Sequence, residues 1–203
     1  MIYKARNRTN LKYITYALHL YFDGLSSLRN TAKALSRFVK RSHTAAIRDW
    51  IQKYKPKRLS YRKTNVAEFI IDETQIKVGS ELIWLWVAIE SETKSIVATS
   101  ISKERNMFVA EKFLSSIVKE NSKHPVSTDG GTWYPQACKF LKLEHHLHST
   151  YEKSIIERTI QYIKDRTECF DDYFPCRKKN CKLKHVMQWM KLFVAHYNKE
   201  IIS

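Results

Sequence analysis

Three consecutive apolar runs in the middle of the chain have the length and spacing of neighbouring β-strands. They extend from Phe69 to Val78, from Leu82 to Glu90 and from Ser95 to Ser102. Turn-forming residues at positions 79–80 and 91–92 lie where hairpin connections would fall. The pattern therefore predicts three strands that follow one another directly in the sequence.

The pattern changes after these strands, because helical and extended segments then alternate. Apolar positions with helical spacing predict an amphipathic helix from Met107 to Lys119. The other predicted elements are short strands at 125–128 and 145–148, a short helix at 134–141, and closing helices at about 152–169 and 183–198. This order predicts an α/β fold, with a mixed sheet and flanking helices.

The region from residue 1 to residue 54 has the apolar spacing of helices. Apolar residues between Leu11 and Tyr21 recur on one stripe, and a second helix is predicted from about Ser27. Ser42 is a candidate N-cap for a third helix, which ends near Tyr54. Three short helices are therefore expected before the first strand.

The third of these helices has a polar face that suits DNA binding. Thr44, Arg48, Gln52 and Lys53 lie on that face, and three short helices of this kind are typical of a helix-turn-helix. We therefore predict that Arg48 and Lys53 contact DNA. The helical spacing also fits a plain helical bundle or an oligomerisation arm.

A basic, irregular segment at 55–66 separates these helices from the first strand. Pro56 would end the preceding helix, and Lys57 and Arg58 are predicted to contact DNA phosphates. A solvated tether is the alternative. These features divide the chain into a helix-turn-helix region at 1–54, a linker at 55–66 and an α/β domain at 67–203.

The charge of the chain indicates its partner. Lys and Arg outnumber Asp and Glu by 36 to 20, which gives a formal net charge of +16. An excess of this size is typical of proteins that bind nucleic acid. The longest apolar run, Leu82 to Ile89, is far shorter than the roughly 20 residues of a membrane-spanning helix. No signal-peptide pattern opens the chain, so a cytoplasmic protein is expected.

Three acidic residues lie in settings that a metal-dependent phosphoryl-transfer site would need. Asp72 lies in a predicted strand, Asp129 follows a short strand and precedes two glycines, and Glu157 lies in a predicted helix. Carboxylates on separate elements can hold Mg²⁺ ions, and a pair of such ions can activate an attacking oxygen and stabilise a leaving one. The ordinary alternatives are a strand-end carboxylate, a turn former and a surface helix residue paired with lysines.

Neighbouring charged residues are weaker candidates for this site. Glu73 should point to the opposite face of the strand, and Asp165 and the Asp171–Asp172 pair are rivals of Glu157. Lys164 lies on the same helical face as Glu157, where it could hold a DNA phosphate. A salt bridge with neighbouring acids is its alternative role.

Histidines and cysteines raise two further possibilities. The histidines at 145, 146 and 148 could assist proton transfer or contact DNA, although strand-edge histidines without such a role are commoner. Four potential zinc ligands lie towards the C-terminus: Cys169, Cys176, Cys181 and His185. A second tightly spaced pair is missing from this set, so buried thiols are the favoured interpretation.

The order of these elements and acids resembles the DDE transposases of small prokaryotic insertion sequences. The resemblance lies in IDET followed by KV within 71–78, STDG at 127–130, and IIER followed by IKDR within 155–166. The last predicted helix, with HYN at 196–198, is similar to the closing helix of that family. The connection from Asp129 to Glu157 is shorter than is usual in the family, which implies a trimmed segment.

This resemblance implies a ribonuclease-H-like catalytic domain in which Asp72, Asp129 and Glu157 bind two Mg²⁺ ions, with Mn²⁺ as a substitute. It also implies a transposase that cleaves the DNA of its element ends and joins the 3′-hydroxyl to target DNA, acting as a homodimer or larger assembly. A nuclease of the same fold and a DNA-binding regulator without catalysis are the alternatives. The N-terminal helices argue against the first, and the intact acidic triad argues against the second.

Overall fold

A five-stranded mixed sheet lies at the centre of the protein. The computed structural model describes the following residues: 9–40, 43–54, 66–79, 81–168 and 183–202. The helices are α1 (Leu11–Phe22), α2 (Leu28–Leu35), α3 (Thr44–Lys53), α4 (Met107–Asn121), α5 (Tyr134–Leu141), α6 (Thr150–Glu168) and α7 (Leu183–Ile202). The strands are β1 (Phe69–Val78), β2 (Glu81–Glu90), β3 (Ile96–Ser102), β4 (Val126–Thr128) and β5 (His145–Leu147). The predicted succession of strands and helices is confirmed, with small shifts of their ends.

The sheet places β1 between an antiparallel half and a parallel half. Its strand order is β3-β2-β1-β4-β5. β1 and β2 pair antiparallel, as do β2 and β3, whereas β4 is parallel to β1 and β5 is parallel to β4. β4 pairs with the first three residues of β1, and its last residue, Thr128, lies opposite Ile71. Asp129, which follows β4, is therefore brought close to Asp72 in β1.

Alternate residues of β1 belong to two different cores. Ile70 and Ile76 pack with residues of α6 and α7, while Phe69 and Ile71 pack with residues of α4 and α5. Successive side chains of a strand point to opposite faces, which explains the division. The sheet is thus covered by helices on both faces, and side chains of β1 reach both layers.

The three N-terminal helices share a core with the rest of the protein. Buried residues of α1, α2 and α3 belong to the same cluster as buried residues of α6, α7 and the sheet. Ser27 caps α2, because its hydroxyl accepts a hydrogen bond from the Asn30 amide at 3.1 Å. The predicted cap of α3 at Ser42 is wrong. α3 begins one residue later, after His43, whose extended backbone precedes the helix, and Ser42 lies outside the described residues.

Polar contacts join the N-terminal helices to α7. Trp189 Nε1 donates to the Tyr21 hydroxyl at 3.1 Å, and Gln188 Nε2 donates to the Tyr54 carbonyl at 2.5 Å. Gln52 Nε2 donates to the His185 carbonyl at 3.5 Å. None of the helices in the described ranges is long and apolar enough to cross a membrane.

Candidate active site

Asp72 is the fourth of the ten residues of β1 and is partly buried. Its Oδ1 atom accepts a hydrogen bond from the Glu73 amide at 2.8 Å. Burial raises the pKa of Asp72 from 3.8 to about 7, and the negative charges of Glu73, Asp129 and Glu157 also raise it. The surroundings therefore hold this carboxyl where a proton or a cation is needed to offset its charge.

Asp129 follows β4 in a tight turn that depends on glycine. Gly131 donates its amide to Asp129 Oδ1 at 3.0 Å, and Gly130 has a φ of 86°. A Cβ atom at position 131 would lie 2.6 Å from the ring of Trp133. The paired glycines thus allow the turn to fold tightly and leave the Asp129 carboxylate exposed beside β1.

Three carboxylates meet at this point of the sheet. Oxygen atoms of Asp72, Glu73 and Asp129 all lie within 4.8 Å of one another. The structure therefore brings two of the three predicted acids together, and it adds Glu73. An all-oxygen, negatively charged group of this kind suits a hard divalent cation such as Mg²⁺.

Glu157 lies on α6 and shares a pocket with Asp72, but it is not part of the close group of three carboxylates. A pocket of about 500 Å³ is lined by Asp72 and Glu157, and by Gln161 and Lys164 further along α6. The Glu157 side chain is 59% exposed, and its Oε1 atom is 4.0 Å from the Lys153 ammonium. α6 thus places Glu157 and Lys164 on the pocket that Asp72 also lines, with Glu157 outside the close group of carboxylates.

Glu73 is held by a network that sequence patterns did not reveal. Its side chain is only 1% exposed and lies 3.5 Å from Arg105 Nη1, and it accepts a hydrogen bond from the Tyr134 hydroxyl. Arg105 lies between two rings, 4.0 Å from the centroid of Trp84 and 4.3 Å from that of Trp133. Glu73 does face the core opposite to that of Asp72, as predicted, yet its carboxylate still reaches the acidic group.

Two of the three histidines make side-chain contacts with β4. His148 Nδ1 lies 2.9 Å from the Ser127 hydroxyl, and His145 Nε2 lies 2.8 Å from the Thr128 hydroxyl. Burial lowers the pKa of both imidazoles, so they are neutral near pH 7. These contacts tie β5 to β4 directly ahead of Asp129.

The predicted DNA contacts occupy different environments. Lys53 is exposed, whereas Arg48 is partly buried and its Nε atom is buried without a hydrogen-bond partner.

Asp165, a rival of Glu157, is exposed and accepts a hydrogen bond from Gln161 at 2.6 Å. The remaining candidates lie outside the described residues: Lys57, Arg58, Asp171, Asp172, Cys169, Cys176 and Cys181.

Comparison with known proteins identifies the family. Residues 66–196 match the family model of a DDE domain, that of the IS240 transposases. An uncharacterized protein of Methanocaldococcus jannaschii is 35% identical over 95% of this chain and 88% of its own length. The transposase for the insertion sequence-like element IS431mec of Staphylococcus aureus is 27% identical over 82% of this chain and 79% of its own length. The chain therefore belongs to the DDE transposase family, a family of polynucleotidyl transferases.

Solved structures with a similar chain path include two integrase catalytic cores. The BIV integrase catalytic core domain has a TM-score of 0.47 and 13% identity, covering 62% of this chain and 82% of that one. The HTLV-2 integrase catalytic core domain in complex with magnesium has a TM-score of 0.46 and 16% identity, covering 61% and 82%. The strand order described above, together with the family, confirms the predicted ribonuclease-H-like mixed sheet with flanking helices.

Proposed function

We propose that this protein is a transposase that cleaves DNA at the ends of its own mobile element and joins the freed 3′-hydroxyl to target DNA. The observation that carries this proposal is the meeting of Asp72 and Asp129 beside a pocket that Glu157 lines from α6. A strand, a turn after a second strand and a helix each supply one carboxylate. Such rigid elements can hold catalytic groups in fixed relative positions.

Asp72, Asp129 and Glu157 would hold two Mg²⁺ ions, with Mn²⁺ as a substitute. Their carboxylate oxygens are the donors that such ions prefer. Burial, together with the neighbouring negative charges, raises the pKa of Asp72, and a bound cation would offset the charge of this carboxylate. When bound, the ions would activate the attacking oxygen and stabilise the leaving one. Glu73 would keep its contacts with Tyr134 and Arg105 and position the neighbouring aspartates.

Basic residues would place the DNA next to these acids. Lys164 lines the pocket, where its ammonium would hold a phosphate near the scissile bond without reading sequence. Lys53 and Arg48 on α3 would contact the element ends, and Lys57 and Arg58 would contact backbone phosphates. The excess of basic residues would keep the protein on nucleoid DNA, and at least two copies would act together on paired ends.

The first test compares the proposed metal ligands Asp72 and Glu157 with Asp165, an exposed acid on the same helix as Glu157. Glu157→Gln and Asp72→Asn should each lower cleavage and strand transfer by more than roughly 100-fold, because even residues behind a metal ligand contribute 10- to 100-fold. Asp165→Asn is the matched control, since Asp165 is exposed on α6 but does not line the pocket. The assay uses a labelled duplex that carries the element's terminal sequence.

DNA binding in a gel shift should persist in all three variants, because the substitutions remove carboxylates and leave the basic residues in place. Strand transfer retained in Asp72→Asn would refute the proposed site. Equal losses in Glu157→Gln and Asp165→Asn would show that Glu157 has no special role.

A further inference from the structure

A second group of potential metal ligands lies on the sheet, away from the candidate active site. Glu68 directly precedes β1, His146 lies in β5 and Glu152 lies in the first turn of α6. One ligand atom from each residue lies within 4.8 Å of the other two. Glu68 precedes Asp72 by four positions, so the two groups are separated by about 13 Å along the strand.

The spacing of these atoms is close to that of a metal site. His146 Nε2 lies 2.9 Å from Glu68 Oε1 and 3.3 Å from Glu152 Oε1. With bonds of about 2.0–2.1 Å, the ligand atoms of a tetrahedral zinc ion are roughly 3.3–3.4 Å apart. Small movements of the side chains would therefore admit an ion between them.

The buried oxygen of Glu68 lacks a well-formed hydrogen bond in this group. Glu68 Oε1 is buried without a hydrogen bond of good geometry, and its contact with His146 Nε2 at 2.9 Å is an ion pair only when the imidazole is protonated. Buried polar atoms in native proteins nearly always have a partner. A cation at the centre of the three residues would give Glu68 Oε1 a partner when the imidazole is neutral, and it would also offset the charges of two neighbouring carboxylates.

The Glu152 carboxylate is held in an orientation that suits a metal ligand. Its Oε2 atom accepts a hydrogen bond from the Ser149 amide at 2.5 Å, and the Ser149 hydroxyl accepts one from the Glu152 amide at 3.3 Å. This reciprocal pair is a capping box at the start of α6. It fixes one oxygen of Glu152 on the helix terminus and leaves Oε1 facing His146.

We propose that Glu68, His146 and Glu152 bind one divalent transition-metal ion that anchors the first turn of α6. The imidazole nitrogen distinguishes this group from the all-oxygen group around Asp72, because nitrogen ligands favour Zn²⁺ and similar ions over Mg²⁺. Three protein ligands leave a coordination position for water. Glu157 lies further along the same helix, so the ion would also help to fix the position of that carboxylate.

The experiment uses the full chain with Asp72→Asn and Asp129→Asn, which removes the acids of the active site. Zn²⁺ is titrated into this protein in excess Mg²⁺ by isothermal titration calorimetry, and one bound ion per chain is expected. His146→Ala and Glu68→Gln in the same background should each weaken binding at least tenfold. His124→Ala, which changes a histidine outside the group, should bind Zn²⁺ unchanged.

The C-terminal cysteines are the alternative zinc ligands, so the experiment must also test them. Cys176→Ser with Cys181→Ser should leave Zn²⁺ binding intact, and Co²⁺ should give a spectrum without the near-ultraviolet bands of thiolate ligands. The proposal is overturned if no ion binds, if the serine variant loses the ion, or if His146→Ala keeps it. Circular dichroism verifies that each variant is folded. The result does not depend on transposase activity, because the background lacks two active-site acids.

Discussion

At the scale of single residues, the sequence identified those acids of the candidate site that lie in or directly after a predicted strand. Asp72 was predictable because it follows the apolar residues 69–71 within a predicted strand, and Asp129 because it follows a short predicted strand and precedes the glycines at 130 and 131. The role of Glu73 was not predictable. Its partners Tyr134 and Arg105 are 61 and 32 positions away, and no local pattern connects them.

Asp72 makes the stability of the metal-free protein depend on pH. Its pKa in the folded protein is about 7, against an ordinary value of 3.8, so the folded state binds the proton more tightly than the unfolded state. The stabilisation is fully present below about pH 4 and is lost as the pH rises through 7. Asp72→Asn should therefore raise the melting temperature in EDTA more at pH 8 than at pH 5.

Differential scanning calorimetry at both pH values measures this effect. Asp165→Asn is the control, because Asp165 is exposed and should change the melting temperature little at either pH. An equal rise for Asp72→Asn at pH 5 and pH 8 would contradict the assigned cause.

At the scale of elements, the active site depends on how β1 is joined to the turn between β4 and α5. Tyr134 is the first residue of α5, and its buried hydroxyl donates to Glu73, next to Asp72. Asp129 lies five residues before Tyr134 in the chain. The contact between Glu73 and Tyr134 therefore fixes the turn that carries Asp129 against the strand that carries Asp72.

Tyr134→Phe should weaken this connection without removing an acid. We expect the variant to need roughly 10- to 100-fold more Mg²⁺ for half-maximal cleavage, as is found when partners behind metal ligands are lost. Maximal activity should largely return at saturating Mg²⁺. Tyr151→Phe, at an exposed position of α6, is the matched control and should keep the wild-type requirement. An unchanged Mg²⁺ requirement in Tyr134→Phe would show that the contact does not position the aspartates.

At the scale of the whole molecule, the sequence predicted the three N-terminal helices but not what they pack against. Helical spacing identifies an apolar face, and it carries no information about the partner of that face. In the structure, α1 and α3 pack on α7 from the other end of the chain. Arg166 of α6 is buried and donates to the Tyr21 carbonyl at 2.5 Å and to the Ser26 carbonyl at 3.3 Å. The helix that carries Glu157 is thus joined directly to the proposed DNA-reading region.

This shared core leads to a prediction about unfolding. Because buried residues of α1–α3 belong to the same cluster as those of α6, α7 and the sheet, the full chain should unfold in one cooperative transition. Far-ultraviolet circular dichroism and Trp fluorescence should give coincident curves in urea, and calorimetric and van't Hoff enthalpies should agree. Trp189→Phe, which removes the indole donor to the Tyr21 hydroxyl, should lower the midpoint while keeping a single transition. A separate early transition that involves only helix loss would instead show that residues 1–54 fold as an independent domain, as the sequence alone suggested.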